Sequence, residues 1–587
     1  MSLKRRPYSF LFFVLAQSTP VERPVIYQIL VRLFGNTRKP KKQWGSVHDN
    51  GTGKMNDVTD KALLEIKKMG FNHVWFTGLI EHATCTDFTQ YGIEPDHPSV
   101  VKGVAGSPYA IKDYYDIAPD LAVDVPRRID EFQSLVDRTH KNGLKVIIDF
   151  VPNHLARQYH SDAKPDGVKD FGVDDDQQQA FLPSNNFYYI PQQELIVPES
   201  TNNHLAPDKP YSELPAKATG NDVFSHQPSI NDWYETVKLN YGVDYLNDRR
   251  EHFDPIPDTW LKMKDILAFW TKKGVDGFRC DMAEMVPVAF WKWVTNEIRQ
   301  VNPDVLFIAE VYQPGLYRRY IHEGGFDYLY DKVELYDTLK GIIQGHQSTD
   351  QLPGVWQAQE GIIDHMLRFL ENHDEQRISS PFFAGSGQPG IPMMAATAFM
   401  HRGPVMMYFG QEVGEAAKGE TGFSGDDGRT TLFDYWNVPE HQKWMNDVAF
   451  DGGKLSKDQK LLRKAYIEIL RACNENSALR TGHFYDLQYY NRSAQYHGYS
   501  DKTYAFIRHN DINGHVVAIN FNDQPSEVKI KIPEHFFQLL SLEGTAKAFI
   551  NQAEAAISSI ADLDSGECIV DTLLPYSYKL YEIRPSR

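Results

Sequence analysis

Three stretches of the chain share one order of hydrophobic and polar positions. Each has apolar residues at helical spacing, then lysines, a glycine and a short continuous apolar run. Lysine suits the negative end of a helix, and glycine adopts the left-handed conformation that ends it. A short apolar run is typical of a strand buried on both faces, as in a parallel sheet. A helix followed by a buried strand is therefore predicted in residues 60–78, 130–151 and 260–281.

Five further apolar runs bring the predicted buried strands to eight. They are residues 25–33, 305–310, 326–330, 366–371 and 404–409. Eight such strands alternating with helices are enough to close a (β/α)8 barrel of roughly 250 residues before insertions. An open doubly wound sheet is the structural alternative, but no GxGxxG motif follows the first strand. We predict the α/β class and a TIM barrel.

Two regions depart from this repeat. Residues 155–250 follow the third strand and are rich in Asp, Asn, Pro and Gln, which predicts a loop-rich inserted domain. From residue 482 onward the pattern changes, and AFIRHN and HVVAINF flank a glycine-containing turn that is typical of a β-hairpin. The predicted organisation is an N-terminal extension or signal segment in residues 1–20, a barrel in 21–154 and 251–481, the inserted domain in 155–250, and an all-β sandwich domain in 482–587.

Composition narrows the range of partners. The chain has 587 residues, and 61 Lys and Arg against 78 Asp and Glu give a net charge of −17. An acidic chain without basic runs binds phosphate backbones poorly, so we expect no nucleic-acid partner. No apolar run is long enough for a transmembrane segment. Four widely spaced cysteines predict neither a disulfide framework nor a structural zinc site.

The N-terminus leaves the compartment open. Lys4, Arg5 and Arg6 precede an apolar stretch, residues 10–16, which fits either a short signal peptide or a strand packed on the main body. Secretion or export to the periplasm and a cytoplasmic location are therefore both retained. The sequence does not specify the oligomeric state, and a monomer is the default expectation.

Polar side chains gather where four of the predicted strands end. In a (β/α)8 barrel, catalytic groups come from the C-terminal ends of the strands. Any one of these residues alone would fit a helix cap or an ion pair, but their joint occurrence favours a site. They are Asp149, Asn153 and His154 after strand three, Arg279, Asp281 and Glu284 after strand four, Glu310 after strand five, and Glu371, Asn372, His373, Asp374 and Arg377 after strand seven.

Such a set of acids suits cleavage of a glycosidic bond. One carboxylate attacks or stabilises the anomeric carbon, and a second, protonated group protonates the leaving oxygen. Arg279 lies two residues from Asp281, on the same face of the strand, and is predicted to keep it ionised. Glu310 is predicted to have the raised pKa of an acid/base. In retaining enzymes the two carboxyl groups lie about 5–5.5 Å apart.

Four segments resemble, in order, the sequence regions of the α-amylase family, glycoside hydrolase family 13. They are DFVPNH, GFRCDMAEM, FIAEV and FLENHDEQR. HVWFTGL, SPYAIKDYYDI and RGPVMMYFGQEVGE also resemble segments of that family, so the similarity extends over nearly the whole chain. The resemblance implies a barrel with a domain B inserted after strand three and a C-terminal β-sandwich, in agreement with the pattern above.

The resemblance also implies a role for each matching residue and a retaining mechanism through a β-glycosyl-enzyme intermediate. It assigns Asp281 as the nucleophile, Glu310 as the general acid/base, Asp374 as the transition-state stabiliser, Arg279 as the group that positions the nucleophile, His154 and His373 as ligands of the sugar beside the scissile bond, Tyr109 as its stacking partner, and Asp113 as a contact to a sugar hydroxyl.

Calcium remains open as a cofactor, and no organic cofactor is expected. Asn153 matches a calcium-ligand position of the family, and Asn240 lies in the loosely matching KLNYG. Calcium needs several more oxygens than these two, and the acidic run 174–176 is an alternative source. Many members carry a Lys-His pair shortly after the nucleophile that helps to bind the sugar and calcium, whereas this chain has Glu284-Met285.

The expected function is cleavage of α-1,4-glucosidic bonds in starch-like α-glucans or maltooligosaccharides. The alternatives within the family are an α-glucosidase, a neopullulanase-like hydrolase and an α-glucan transglycosylase. A remote alternative is a non-catalytic sugar-binding protein on the same scaffold, against which the complete set of acids argues. The sequence does not fix linkage preference, chain-length preference, or endo or exo action.

Overall fold

The structure is a computed structural model that covers most of the chain. It describes residues 23–199, 205, 209–493, 499–511, 513–539, 547–551, 557–558, 560–561 and 568–585. The N-terminal extension or signal segment predicted in residues 1–20 lies outside the described residues. Within these ranges, no helix combines the length and the apolar character that a membrane crossing requires.

All eight predicted buried strands form, and they pair in parallel around one barrel. A backbone bridge between Arg368 and Val405 joins the last two strands and closes the barrel. The pairing order is β7-β6-β5-β4-β3-β2-β1-β8, which confirms the predicted (β/α)8 fold. The strands are β1 (Val25–Leu30), β2 (His73–Thr77), β3 (Lys145–Phe150), β4 (Gly277–Cys280), β5 (Leu306–Ala309), β6 (Tyr328–Tyr330), β7 (Met366–Leu367) and β8 (Val405–Tyr408).

Helices surround the barrel, and their ends follow the predicted pattern. In the helix Asp60–Met69 the Thr59 hydroxyl accepts a hydrogen bond from the Ala62 amide, and Gly70 follows with φ 110°. The helices are Asp60–Met69, Arg128–Lys141, Asp258–Lys272, Val288–Val301, Tyr317–His322, Asp337–Ile343, Leu352–Ala358, Gly390–Phe399, Pro439–Met445, Lys457–Glu475 and Ser477–Thr481, with shorter turns at Val31–Phe34 and Val47–Asn50.

Some strands are shorter than their apolar runs predict. The run at residues 25–33 divides into β1 and the helical turn Val31–Phe34, both fully buried. The run at residues 366–371 contributes only two residues to β7. Hydrophobicity marks burial, and a buried helical turn and a buried strand share that signal.

The segment after β3 is rich in loops, with only short paired strands. His154–Ala156 pairs antiparallel with Thr236–Lys238, which joins the two ends of the segment. A second pair, Tyr189–Ile190 with Ala216–Lys217, lies within it. Before it, on the same side of the barrel, the hairpin formed by Ile80–His82 and Ile111–Ile117 follows β2.

The described part of the C-terminal region forms two antiparallel sheets, and its hairpin has the predicted strands. His509 and Gly514 pair at the turn of that hairpin. The larger sheet has the order β9-β10-β11-β17-β13-β14 and the smaller has the order β12-β16-β15. Their strands are β9 (His483–Asp486), β10 (Thr503–His509), β11 (Gly514–Asn520), β12 (Ser526–Lys531), β13 (Lys547–Asn551), β14 (Ile557–Ser558), β15 (Ile560–Ala561), β16 (Cys568–Leu573) and β17 (Ser577–Pro585).

Candidate active site

A single buried arginine lies between two carboxylates at the mouth of the barrel. Arg279 comes from β4, and its side chain has no solvent exposure. One terminal nitrogen donates to Asp281 Oδ1 at 2.6 Å, and the other lies 2.8 Å from Glu310 Oε1. Three rings, those of Trp75, Tyr109 and Tyr330, lie around the guanidinium at 5.4 Å each. The structure therefore brings the two acids predicted from separate strand ends onto one cation.

Glu310 is held by two further donors. The Tyr312 hydroxyl donates to Glu310 Oε1 at 2.6 Å, and the Met282 amide donates to Oε2 at 2.8 Å. Met282 has φ 41° and ψ 43°, a left-handed conformation that is strained for a residue with a side chain. That conformation aims the amide at the carboxylate, so the backbone next to Asp281 helps to fix Glu310.

Burial and charge set the proton affinities of this pair. Burial raises the pKa of Asp281, and the Arg279 charge only partly offsets it. Burial also raises the pKa of Glu310, with Arg279 opposing the shift and the Asp281 charge adding to it. The negative charge of Asp281 raises the pKa of Glu310, so ionisation of one carboxyl group disfavours ionisation of the other. The predicted effect of Arg279 on Asp281 is therefore present, but burial opposes it and sets the direction of the net pKa shift.

Asp374 approaches the pair from β7 together with His373. The pKa of Asp374 lies well above its usual value because of desolvation and then the Glu310 charge. His373 Nε2 lies 3.1 Å from Asp374 Oδ2, and the His373 ring stacks on Tyr109 with centroids 5.1 Å apart. Burial depresses the pKa of His373 far enough to keep the imidazole neutral. A neutral ring beside a partly exposed carboxyl can donate one hydrogen bond without adding charge.

Asp149 is a member of the site that motif matching left without a role. Its carboxylate accepts hydrogen bonds from the Trp75 indole at 3.1 Å and the Tyr109 hydroxyl at 3.2 Å. Arg279 lies 3.6 Å away, and burial raises the pKa of Asp149 to about 6. Its position at the end of β3 was noted in the sequence, but only the structure shows that it orients the stacking tyrosine.

His154 lies on the wall of a cavity that Asp281, Glu310 and Asp374 also line. The cavity has a volume of about 230 Å³. The Trp233 ring lies 5.1 Å from the His154 ring, and Lys102 forms a 3.0 Å ion pair with Glu235 at the same wall. Burial lowers the pKa of His154 to about 4. No motif pointed to this wall, because Trp233 and Glu235 come from the inserted segment and Lys102 comes from the loop between Ile80–His82 and Ile111–Ile117.

Asp113 is not among the residues that line this cavity, whereas Tyr109 and His154 are. It belongs to the hairpin strand Ile111–Ile117, has no solvent exposure, and accepts a 2.6 Å hydrogen bond from Ser161. Tyr109 lines the cavity and Asp113 does not, because Tyr109 precedes the strand Ile111–Ile117 and Asp113 lies within it. Its carboxylate accepts hydrogen bonds from the Ser161 hydroxyl and from the amides of Tyr115 and Ala163 instead.

The asparagines expected to bind calcium already have protein partners. Asn153 Oδ1 accepts a hydrogen bond from Lys238 Nζ at 2.8 Å, and that ammonium also lies 2.5 Å from Asp222. Asn240 Oδ1 accepts from the Gly242 amide, and its amide group donates to a backbone carbonyl. A buried ammonium repels a second cation, so these residues do not fit calcium, which corrects the predicted metal site.

Two other sequence features have structural roles. Asp175, in the acidic run considered as a calcium donor, accepts hydrogen bonds from the backbone amides of Asn186 and Phe187. Glu284 accepts from the amides of Tyr312 and Gln313 at 3.2 and 3.1 Å. Glu284 therefore fixes the loop after β5 from the position near the family's Lys-His pair.

Comparisons with known proteins identify the family of the chain. The family model "Alpha amylase, catalytic domain" matches residues 28–467. Alpha-amylase 3 of Dictyoglomus thermophilum is 22% identical over 544 residues, covering 89% of this chain and 91% of that protein. An alpha-1,4-glucan:maltose-1-phosphate maltosyltransferase of Cereibacter sphaeroides is 25% identical over 402 residues, covering 64% of this chain and 51% of that protein.

A solved structure supports the fold over nearly the full length. The α-amylase of Geobacillus thermoleovorans, complexed with acarbose, superposes with a TM-score of 0.59 at 20% identity, covering 96% of this chain and 99% of that one. The family model, which spans well over half of the sequence, decides the classification. The chain belongs to the α-amylase family of glycoside hydrolases.

Proposed function

We propose that the enzyme hydrolyses α-1,4-glucosidic bonds of short α-glucans and maltooligosaccharides with retention of configuration. The observation that carries the proposal is the Arg279 guanidinium, which contacts Asp281 and Glu310 at the wall of one cavity. A retaining glycosidase needs an ionised nucleophile beside a protonated acid. Burial and the Asp281 charge both raise the pKa of Glu310, which favours the protonated form that the acid needs.

In the proposed reaction, the Asp281 carboxylate attacks the anomeric carbon and forms a covalent glycosyl ester. Glu310 gives its proton to the departing glycosidic oxygen, so the leaving sugar departs as an alcohol. Glu310, now ionised, takes a proton from water, and that water displaces Asp281 and restores the original anomer. Arg279 holds the nucleophile, and Asp374 with His373 contacts the hydroxyls of the reacting sugar.

The dimensions of the cavity favour short substrates. Its 230 Å³ lies below the range of about 300–1,000 Å³ that is usual for drug-sized ligands. Trp233 and the Lys102–Glu235 pair narrow it on the side of the inserted segment. One sugar ring fits beside the acids, and the rest of the chain must leave through the mouth. We therefore place maltooligosaccharides ahead of long polymers.

Transfer to a sugar acceptor is the second candidate. The glycosyl ester would be the same, and a sugar hydroxyl would replace water in the second step. The observation that favours it is the similarity to a protein named as a maltosyltransferase, although this chain spans about half of that relative.

Product analysis of the wild type and one variant tests the proposal. Wild-type enzyme is incubated with maltooligosaccharides, amylose, pullulan and maltose, and the anomer and length of the first products are followed by NMR and chromatography. We expect α-anomers from short maltooligosaccharides, with Asp281→Asn inactive and still folded. Products of inverted configuration would contradict the mechanism, and longer oligosaccharides at early times would indicate transfer.

Binding measurements separate the enzyme from a sugar-binding protein. The Asp281→Asn variant should bind maltotriose about as tightly as the wild type and release no product, whereas the wild type should turn it over. A wild-type protein that binds maltotriose and never cleaves it would favour the non-catalytic alternative.

A further inference from the structure

Two loops at the mouth of the barrel are joined to each other by reciprocal hydrogen bonds. The nucleophile loop, residues 281–286, follows β4, and the acid loop, residues 310–313, follows β5. The backbone of the nucleophile loop holds the side chain of the acid loop, because the Met282 amide donates to Glu310 Oε2 at 2.8 Å. The two carboxyl groups of the proposed reaction are therefore carried by loops that contact each other directly.

Glu284 makes the opposite contact, from a side chain of the nucleophile loop to the backbone of the acid loop. Its Oε2 accepts hydrogen bonds from the amides of Tyr312 at 3.2 Å and Gln313 at 3.1 Å. The backbone around Glu284 is itself fixed, because the Tyr320 hydroxyl donates to the Glu284 carbonyl at 3.1 Å and the Trp291 indole donates to the carbonyl of the preceding residue at 3.0 Å. A carboxylate on an anchored backbone can hold a neighbouring loop in place.

Tyr312 connects Glu284 to the reacting groups. Glu284 binds its amide, and its hydroxyl donates to Glu310 Oε1 at 2.6 Å. Tyr312 also lines the cavity together with Asp281 and Glu310. A movement of the Tyr312 backbone would therefore displace one of the donors that orient Glu310. A misplacement of about 1 Å can lower the rate of a reaction about 100-fold.

We propose that Glu284 is a positioning residue, which fixes the acid loop so that Glu310 is directed at the departing glycosidic oxygen. This inference rests on the proposed function. Glu284 is half-buried and is not among the residues that line the cavity. It therefore acts through Tyr312 and Glu310, without touching the substrate.

A purely structural role for Glu284 makes a different prediction. If the side chain only stabilises the fold, its removal lowers Tm and changes the turnover of all substrates to the same extent. If it positions Glu310, its removal lowers kcat most for substrates whose leaving oxygen needs a proton. The dependence of the loss on the leaving group therefore separates the two roles.

Substitutions of Glu284 separate its hydrogen bonds from its charge. Glu284→Gln keeps an oxygen that can accept from both amides, and Glu284→Ala removes it. Glu284→Met, which has a side chain of similar length and no carboxylate, repeats the test if the alanine variant does not fold. We expect Glu284→Ala to lower kcat on maltotriose by about 10–100-fold with KM changed less than about threefold, and Glu284→Gln to retain at least about a third of the wild-type kcat.

An aryl α-maltoside supplies the measurement that a structural role would not change. Its leaving oxygen needs little protonation, so Glu284→Ala should lose less than about fivefold in kcat on this substrate. Steady-state kinetics of the full-length wild type and variants are measured on both substrates, well below the Tm of each protein.

Asp175→Ala is the matched control. Asp175 also accepts hydrogen bonds from two backbone amides, those of Asn186 and Phe187, and it is not among the residues that line the cavity. We expect this variant to unfold at a lower temperature than the wild type and to keep the wild-type kcat on maltotriose and on the aryl α-maltoside.

Three results would overturn the inference while leaving the proposed function intact. They are equal losses of kcat for Glu284→Ala on the two substrates, wild-type kcat for Glu284→Ala on maltotriose, and a Glu284→Gln variant as slow as Glu284→Ala. Products of inverted configuration from the wild type would instead contradict the proposed function, and the role of Glu284 would fall with it.

Discussion

Two groups of acids in this molecule each contain one arginine, yet they differ in what the arginine does. At the active site, Arg279 contacts Asp281 and Glu310 together, and both acids line a cavity. In the hairpin acid cluster, which consists of Glu81, Asp113, Asp116 and Asp162, Arg128 mainly binds Asp116 and leaves Glu81 Oε2 without a donor among the described residues. The number of acids is therefore a poor guide to function. The position of the cation decides which acids share a charge partner, and access to a cavity decides whether they can reach a substrate.

The largest expected contrast comes from the same substitution in the two groups. Glu310→Gln should lower kcat on maltooligosaccharides by about 10²–10⁴-fold, because general acid catalysis is lost. Glu81→Gln should leave kcat within about twofold when assayed well below its Tm. Steady-state kinetics of both variants measure the contrast.

Substrates with activated leaving groups sharpen that test. An aryl maltoside needs less protonation of its leaving oxygen, so Glu310→Gln should lose much less activity on it than on a maltooligosaccharide. Equal losses on both substrates would count against Glu310 as the acid.

Replacing each of the two arginines by lysine should give the next largest contrast in kcat. Arg279→Lys keeps the charge but cannot contact two carboxylates with a planar fork, and one lost charge-assisted hydrogen bond of about 1.5–3 kcal/mol lowers kcat by about 10–100-fold. Arg128→Lys should change kcat less than about twofold. Similar losses of kcat in the two variants would indicate that Arg279 contributes to activity only by stabilising the fold.

Lys238 provides a test of stability at the predicted calcium position. Lys238→Met removes the donor to Asn153 and the partner of Asp222. Asp222 is partly exposed, so the free energy of unfolding should fall by only about 1–3 kcal/mol. Denaturant unfolding of the wild type and the variant measures the loss. A variant that binds calcium where the wild type does not would show that the lysine had replaced an ion.

The smallest predicted effect is a shift in pH dependence. The Tyr312 hydroxyl hydrogen-bonds to Glu310 and lowers the pKa of its carboxyl. Tyr312→Phe should therefore raise that pKa, keep the acid protonated to higher pH, and move the alkaline limb of kcat upward. A hydrogen bond worth about 1 kcal/mol corresponds to about 0.7 pH unit. A fall in kcat without any shift would assign Tyr312 a packing role only.

The fold and the centre of the site were accessible from the sequence because both rest on local patterns. Apolar runs located every barrel strand, three of them after helix-ending glycines, and the strand ends located Arg279, Asp281 and Glu310. All parallel strands of a barrel end on the same side, so residues at their C-terminal ends lie close together in space although they are far apart in the sequence.

The rest depends on contacts that no local pattern encodes. Lys238 reaches Asn153 from 85 residues away, and it excluded the calcium ligands that the family match implied. Asp113 lies only four residues after Tyr109, yet it belongs to the hairpin acid cluster and not to the cavity. The direction of a side chain near a bend and the contacts of an inserted segment depend on the tertiary structure. The spacing of motifs in the sequence does not determine them.

Trapping the glycosyl-enzyme tests the central claim most directly. The enzyme is incubated with 5-fluoro-α-D-glucosyl fluoride, digested and analysed by peptide mass spectrometry. We predict one added glycosyl group, on the carboxylate of Asp281, with more intermediate accumulating in Glu310→Gln when an activated donor is used. A label on Glu310 or Asp374, or an unlabelled enzyme that releases products of inverted configuration, would contradict the account.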